Sequence, residues 1–192
     1  MLPMEEIIND WREQKVSALL EKARCCLATF CNVPVIDIEI VGVIKFDENY
    51  LGDAEDSVDC DMTFVYYNRM SGLEGAILSW SYETGEFCRT VQTECSFFNH
   101  PTNIYYRSGG WRDLTCKEME TQILIYLADM LDIAPKHIDI NGLVHQMEGV
   151  FEYESISEEI SRIQVFYTRD RNQPQSVVLE WCYAFDEFWS HY

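Results

Sequence analysis

The side chains whose type and spacing could do chemistry are carboxylates. Asp47, Glu48, Asp53, Glu55, Asp56, Asp59 and Asp61 follow one another with no Lys or Arg between them. A second set, Glu148, Glu152, Glu154, Glu158 and Glu159, is likewise uninterrupted by basic residues. Three chemistries use such groups. Calcium takes about six to eight oxygens, yet residues 53–61 lack the EF-hand order and its central glycine. Acid–base catalysis needs paired carboxylates in a cleft, and these acids read as solvated loop and strand positions. The third is electrostatic: carboxylates fixed on a rigid body imitate a row of phosphates and engage the Lys and Arg that normally meet nucleic acid.

Other reactive residues are sparse. The histidines are His100, His137, His145 and His191, and the aligned first-half positions of His137 and Asp139 are Asp37 and Glu39, which reads as a plain solvent face. Cys25, Cys26 and Cys31 lie near one helix end with no C-x-x-C pair and no adjacent histidine, so no zinc site is expected. The chain has no phosphate-binding G-x-x-x-x-G-K-[ST], no G-x-G-x-x-G, no H-E-x-x-H and no G-x-S-x-G. These absences point to a non-enzymatic protein without cofactor or metal.

Charge narrows the class. The chain carries 33 acidic and 14 basic residues, a formal net charge of −19. That field repels nucleic acid and anionic lipid and attracts basic proteins. With 47% hydrophobic and 14% aromatic residues the acidity belongs to a folded body. No apolar run approaches a membrane span and no signal peptide is visible, so a cytoplasmic location is expected, the host cytoplasm if the gene belongs to a phage. There the eight cysteines would be small buried hydrophobes.

The elements that must position these groups are duplicated. A shift of one hundred residues lays Leu27-Ala28 on Leu127-Ala128 and Ile38–Gly42 on Ile138–Gly142. The same shift lays Val65, Tyr67 and Arg69 on Val165, Tyr167 and Arg169. One added residue then matches Leu78, Trp80, Tyr82, Glu86 and Phe87 with Leu179, Trp181, Tyr183, Glu187 and Phe188. Each half reads as a helix and three strands. Val16, Leu19, Leu20, Ala23, Leu27 and Phe30 form one helical stripe; Met119, Ile123, Tyr126, Leu127 and Met130 form the other. Thr115 and Glu118 have capping-box spacing, and Pro34 and Pro135 follow the helices.

Alternation puts Ile36, Ile38, Ile40 and Ile44 on one strand face. Second strands are expected near 62–69 and 163–169, third strands near 75–83 and 176–184. Residues 88–114 hold Phe97, Phe98, Tyr105, Tyr106 and Trp111, with a further strand over 89–98 and a turn over 99–103. The fold class is therefore α+β: a first αβββ repeat with an added strand over 1–98, a connecting loop over 99–116, and a second αβββ repeat over 117–192. The pattern leaves open whether the two sheets join.

The expected function is an acidic inhibitor that binds a basic, nucleic-acid-handling protein and blocks its nucleic-acid site, as anti-restriction, anti-CRISPR and nuclease-immunity proteins do. The two acidic sets would make the contact, with Trp189 and Tyr192 as aromatic anchors. Direct binding to nucleic acid or membrane is not expected; a homodimer is compatible with the pattern. Two alternatives use the same residues differently. A ligand-binding or enzymatic domain would place its pocket between the repeats, with Tyr67, Tyr167, Arg69 and Arg169 as first candidates. An acidic secretion chaperone or adaptor would hold a partner without competing with nucleic acid.

Overall fold

The computed structural model describes residues 9–47, 59–94, 109–153 and 156–189. Two helices, α1 (Val16–Cys31) and α2 (Cys116–Leu131), form where the apolar stripes predict. Leu19, Ala23, Leu27 and Ala28 are buried from α1, and Met119, Ile123, Leu127 and Ala128 from α2. Phe30 and Met130, placed on the stripes by spacing, instead stand 45% and 47% exposed in the last turns. Thr115 and Glu118 form a reciprocal capping box, an arrangement of the order of 1 kcal/mol. Asn32 and Asp132 close the helices in left-handed geometry (φ 56° and 51°), returning their N–H groups to carbonyls in the last turn.

A short 3-10 helix follows each, Val35–Asp37 and Pro135–His137. Ile36 therefore precedes the first strand rather than joining its buried face, and it is 66% exposed. Four strands come after each helix, which matches the αβββ pattern with an added strand in the first half and exceeds the αβββ expectation by one strand in the second. They are β1 (Ile38–Asp47), β2 (Asp59–Asn68), β3 (Gly72–Ser81) and β4 (Glu86–Thr93), then β5 (Ile138–Tyr153), β6 (Ile156–Arg169), β7 (Gln175–Cys182) and β8 (Glu187–Trp189). The further strand expected over 89–98 is β4, which starts three residues earlier; residues 95–103, including the expected turn, lie outside the described residues.

All eight strands form one antiparallel sheet in the order β4-β3-β2-β1-β5-β6-β7-β8. The sheets of the two halves thus join, through Gly42, Val43 and Ile44 of β1 against Val144, Leu143 and Gly142 of β5. Gly42 makes that approach feasible: a Cβ there would lie 2.5 Å from the Leu143 carbonyl oxygen. Both helices cover the same face. α1 packs on Ile38, Phe64, Tyr66, Leu78 and Trp80, and α2 on Ile138, Val165, Tyr167, Leu179 and Trp181. Val41, Val65 and Val144 cluster on the other face with Tyr67, Leu73 and Phe166. The apolar positions expected in the core, Ile38, Ile40, Leu78, Trp80, Val165, Leu179 and Trp181, are all buried.

Register corrects the alignment of the halves. Ile40 opposes Tyr66 and Ile140 opposes Tyr167; Met62 opposes Leu78 and Ile163 opposes Leu179. The corresponding positions of β2 and β6 therefore differ by 101 residues, so the one-residue step falls before β2 rather than after Arg69. Tyr167 matches Tyr66, which faces α1, while Tyr67 faces away. A single-residue slip reverses every side chain of a strand. Tyr67 and Tyr167 consequently lie on opposite faces and do not form a recurring pair.

Trp111 also changes place. It belongs to a 3-10 helix, Gly110–Asp113, that leads into α2 as Trp11–Glu13 leads into α1. The two lead-in segments pair: Val16 N–H donates to the Leu114 carbonyl (2.8 Å) and Cys116 N–H to that of Gln14 (2.9 Å). Trp111 is thus a core residue at the start of the second half, not part of an insertion between halves.

Candidate functional site

The acidic sets occupy different settings. Glu48, Asp53, Glu55 and Asp56 lie outside the described residues; Asp47 and Asp59 are placed only as strand ends of β1 and β2. Asp61, on β2, is half-buried and accepts the Ser79 hydroxyl at 2.5 Å. The second set, expected in a loop, belongs instead to the long β5–β6 hairpin, in which Glu152 opposes Ser157, Phe151 opposes Glu158 and Val150 opposes Glu159. Glu152 is exposed, Glu158 and Glu159 are half-buried, and Glu154 lies outside the described residues. The Glu158 carboxylate accepts from the Cys182 thiol. Trp189 is half-exposed beside Phe185, at 5.9 Å between ring centroids; Tyr192 lies outside the described residues.

Glu148 departs furthest from expectation. Its carboxylate is 5% exposed and grips the Arg112 guanidinium with two hydrogen bonds of 3.0 and 3.1 Å. Arg112 also donates to the Tyr183 hydroxyl at 2.9 Å, and that hydroxyl donates to Glu148. This geometry engages both terminal nitrogens of the fork and both carboxylate oxygens, which offsets the cost of burying the pair. Glu148 is therefore structural: it ties the segment before α2 to the hairpin and is withdrawn from any partner surface.

A second buried network adjoins the first. Arg112 covers the Trp111 ring at 4.2 Å, and the Trp111 indole N–H donates to Ser161 Oγ at 3.0 Å. Ser161 Oγ lies 3.0 Å from His145 Nε2. Burial first, and then the Arg112 charge, lower the His145 pKa from 6.5 to about 4, so the ring is neutral near pH 7; with its hydrogen bond to the Met147 backbone taking the ring N–H, Nε2 is left to accept from the Ser161 hydroxyl. A serine beside a histidine suggests a nucleophile and its base. Here Ser161 is fully buried and does not line the neighbouring cavity, and a base with a pKa of about 4 is mismatched to proton transfer near neutrality. The histidine has a stability consequence. A pKa lowered on folding contributes stability above the unfolded value and loses it as pH falls from about 6.5 toward about 4, by roughly 3 kcal/mol. Urea unfolding of the wild type and of His145→Asn should show their stability difference shrinking by about that amount between pH 7 and pH 4. A gap independent of pH would remove this role from His145.

The cavity lies on the seam where β1 meets β5, between the starts of α1 and α2. It measures about 100 Å³ and is partly open to solvent. Its walls come in matched pairs from the two halves: Trp11 and Trp111, Leu19 and Met119, Ile40 and Ile140, Val43 and Leu143. Leaving such a volume unfilled costs roughly 2 kcal/mol. Tyr67, Tyr167, Arg69 and Arg169, expected at a pocket between the halves, do not line it. Arg112 and His145 do, and neither stood out in sequence; the recurrence of Trp-Arg at 11–12 and 111–112 was the available signal.

No protein-family model matches this chain, and no curated protein or solved structure matches it significantly. Geometry alone must therefore carry the functional reading. Among the described residues no group of His, Cys, Asp and Glu is arranged to hold a metal ion, and no helix is long and apolar enough to cross a membrane. The seven described cysteines form no disulfide with one another.

Among the described residues Arg12, Lys22, Arg24, Arg69, Arg112, Lys117, Arg162 and Arg169 each form an ion pair with a carboxylate. The formal net charge of −19 gives the protein a strongly negative field.

Proposed function

We propose that this protein is a non-enzymatic acidic inhibitor that binds a basic, nucleic-acid-handling protein and occupies its nucleic-acid site. One observation carries the reading: a net charge of −19 on a folded α+β body. A continuous eight-stranded sheet gives a rigid support to the acids that lie on its strands, such as Glu152, Glu158 and Glu159, which favours charge mimicry because carboxylates on a mobile chain would pay ordering entropy on binding. In this reading the chain is a duplicated unit of one helix and four strands, and the contact is made by the acids between β1 and β2 together with Glu152 and its neighbours on the β5–β6 hairpin. An intracellular setting, such as phage anti-defence or toxin immunity, fits that role.

The test is competition with DNA for a basic nuclease, read against salt. Affinity for the nuclease should fall about tenfold or more between ~50 and ~200 mM salt, because the contact replaces a phosphate row. Asn or Gln at Asp53, Glu55, Asp56 and Asp59 together should weaken binding at least as much. Binding that ignores both salt and these substitutions would remove charge mimicry as the mechanism.

A further inference from the structure

The seam cavity is an independent feature, and its chemistry differs from that of the acidic surface. Each helix packs chiefly on its own half of the sheet, with only Val16 and Leu20 of α1 and Cys116 of α2 reaching the other core, and a space over the β1–β5 junction is left between the two cores. Leu20 touches both cores, but across the cavity its matched position is the exposed Glu120, which contributes no apolar bulk. Aromatic rings, aliphatic side chains and a thioether make up most of the wall.

Of the polar groups in the wall, Glu120 is exposed to solvent, and Arg112 and His145 are engaged by groups behind the wall. Arg112 spends its positive charge on Glu148, and His145 is neutral and bonded to Ser161. An anionic ligand would find the Arg112 charge already spent on Glu148, and a cationic one would lose hydration and meet only the carboxylate of Glu120, which is exposed to solvent. At about 100 Å³, with a wall made mostly of apolar side chains, the cavity has the size and lining for a molecule of about one aromatic ring.

We propose that the cavity between the two halves, bounded by Trp11 and Trp111, is a binding site for a small, neutral, apolar molecule of single-ring size. The ligand would complete the junction by touching both cores at once. This does not depend on the inhibitor reading, since it concerns the helix-covered face and neutral chemistry.

Toluene is the probe, with benzoate and benzylammonium as charged analogues of similar size. The chain has five tryptophans, so each indole N–H signal can be assigned by substitution and followed by NMR. Toluene should move the Trp11 and Trp111 signals while leaving that of Trp189 in place, and should raise Tm by roughly 2–5 °C at about ten times its Kd. The charged analogues should do neither at the same concentration. Leu20→Phe fills the cavity and should abolish the toluene response; if that variant does not fold, Cys116→Met adds bulk at the opposite wall for the same purpose. Absence of a toluene response, an equal response to benzoate, or a response that survives the filling variant would each overturn the proposal.

Discussion

Glu148→Ala is expected to destabilise the fold by about 3–5 kcal/mol, because it strands a buried guanidinium. Arg112 is 7% exposed and has its two terminal nitrogens committed to Glu148, with Tyr183 as a further neighbour. Removing the carboxylate leaves that charge without its counterion and the Tyr183 hydroxyl without its acceptor. Glu152→Ala, four residues along the same strand but exposed, should change stability by no more than about 0.5 kcal/mol. Replacing both partners, as Arg112→Leu with Glu148→Leu, should recover much of the loss, since the cost arises from the orphaned charge rather than from the absent bond. Equilibrium unfolding in urea measures all three. Equal effects at Glu148 and Glu152 would show that the pair does not hold the hairpin to the segment before α2.

The junction of the halves should be as sensitive to a single methyl group. Gly42→Ala places a Cβ 2.5 Å from the Leu143 carbonyl oxygen, 2.8 Å from Val144 Cγ2 and 2.9 Å from Val144 Cα. Two of those atoms are backbone, so the strain cannot be relieved by rotating a side chain. β1 must move away from β5, and only three residue pairs hold them together. A loss of about 3 kcal/mol is expected, at the upper end for overpacking. Gly149→Ala on β5 is the control, because its nearest neighbour would be Phe151 at 4.0 Å. Backbone amide exchange should report the damage at 42–44 and 142–144 first. Unchanged stability in Gly42→Ala would mean that the two halves are not held by this contact.

These expectations show where local pattern suffices. The helices and their ends were legible because apolar periodicity, the Thr115–Glu118 spacing and the residues after each helix act within a few positions. The large apolar residues of β1, β3 and β7 were legible too, since alternation decides which face of a strand is apolar. Trp80 and Trp181 recur with Phe87 and Phe188, and each tryptophan packs edge-on against its phenylalanine at 5.2 and 5.0 Å.

The register of β2 and β6 was not legible. An alignment one residue out still matches apolar with apolar there, because both faces of these strands carry large side chains, Tyr66 and Tyr67 among them. Only hydrogen bonding to β1 and β3, and to β5 and β7, chooses between them. The same holds for Glu148. Glutamate in an acidic stretch reads as solvated, and its burial depends on an arginine 36 residues earlier that tertiary structure alone brings within 3.0 Å.

By itself the sequence determined the charge, the class, the helices and the greater part of the core, because composition and short-range periodicity carry that information along the chain. Only the tertiary structure decided that the halves share one sheet, that Glu148 faces Arg112 rather than solvent, and that a cavity remains between two cores. Those outcomes depend on which distant backbones approach closely enough to pair and how much volume their side chains leave, and no local spacing encodes either.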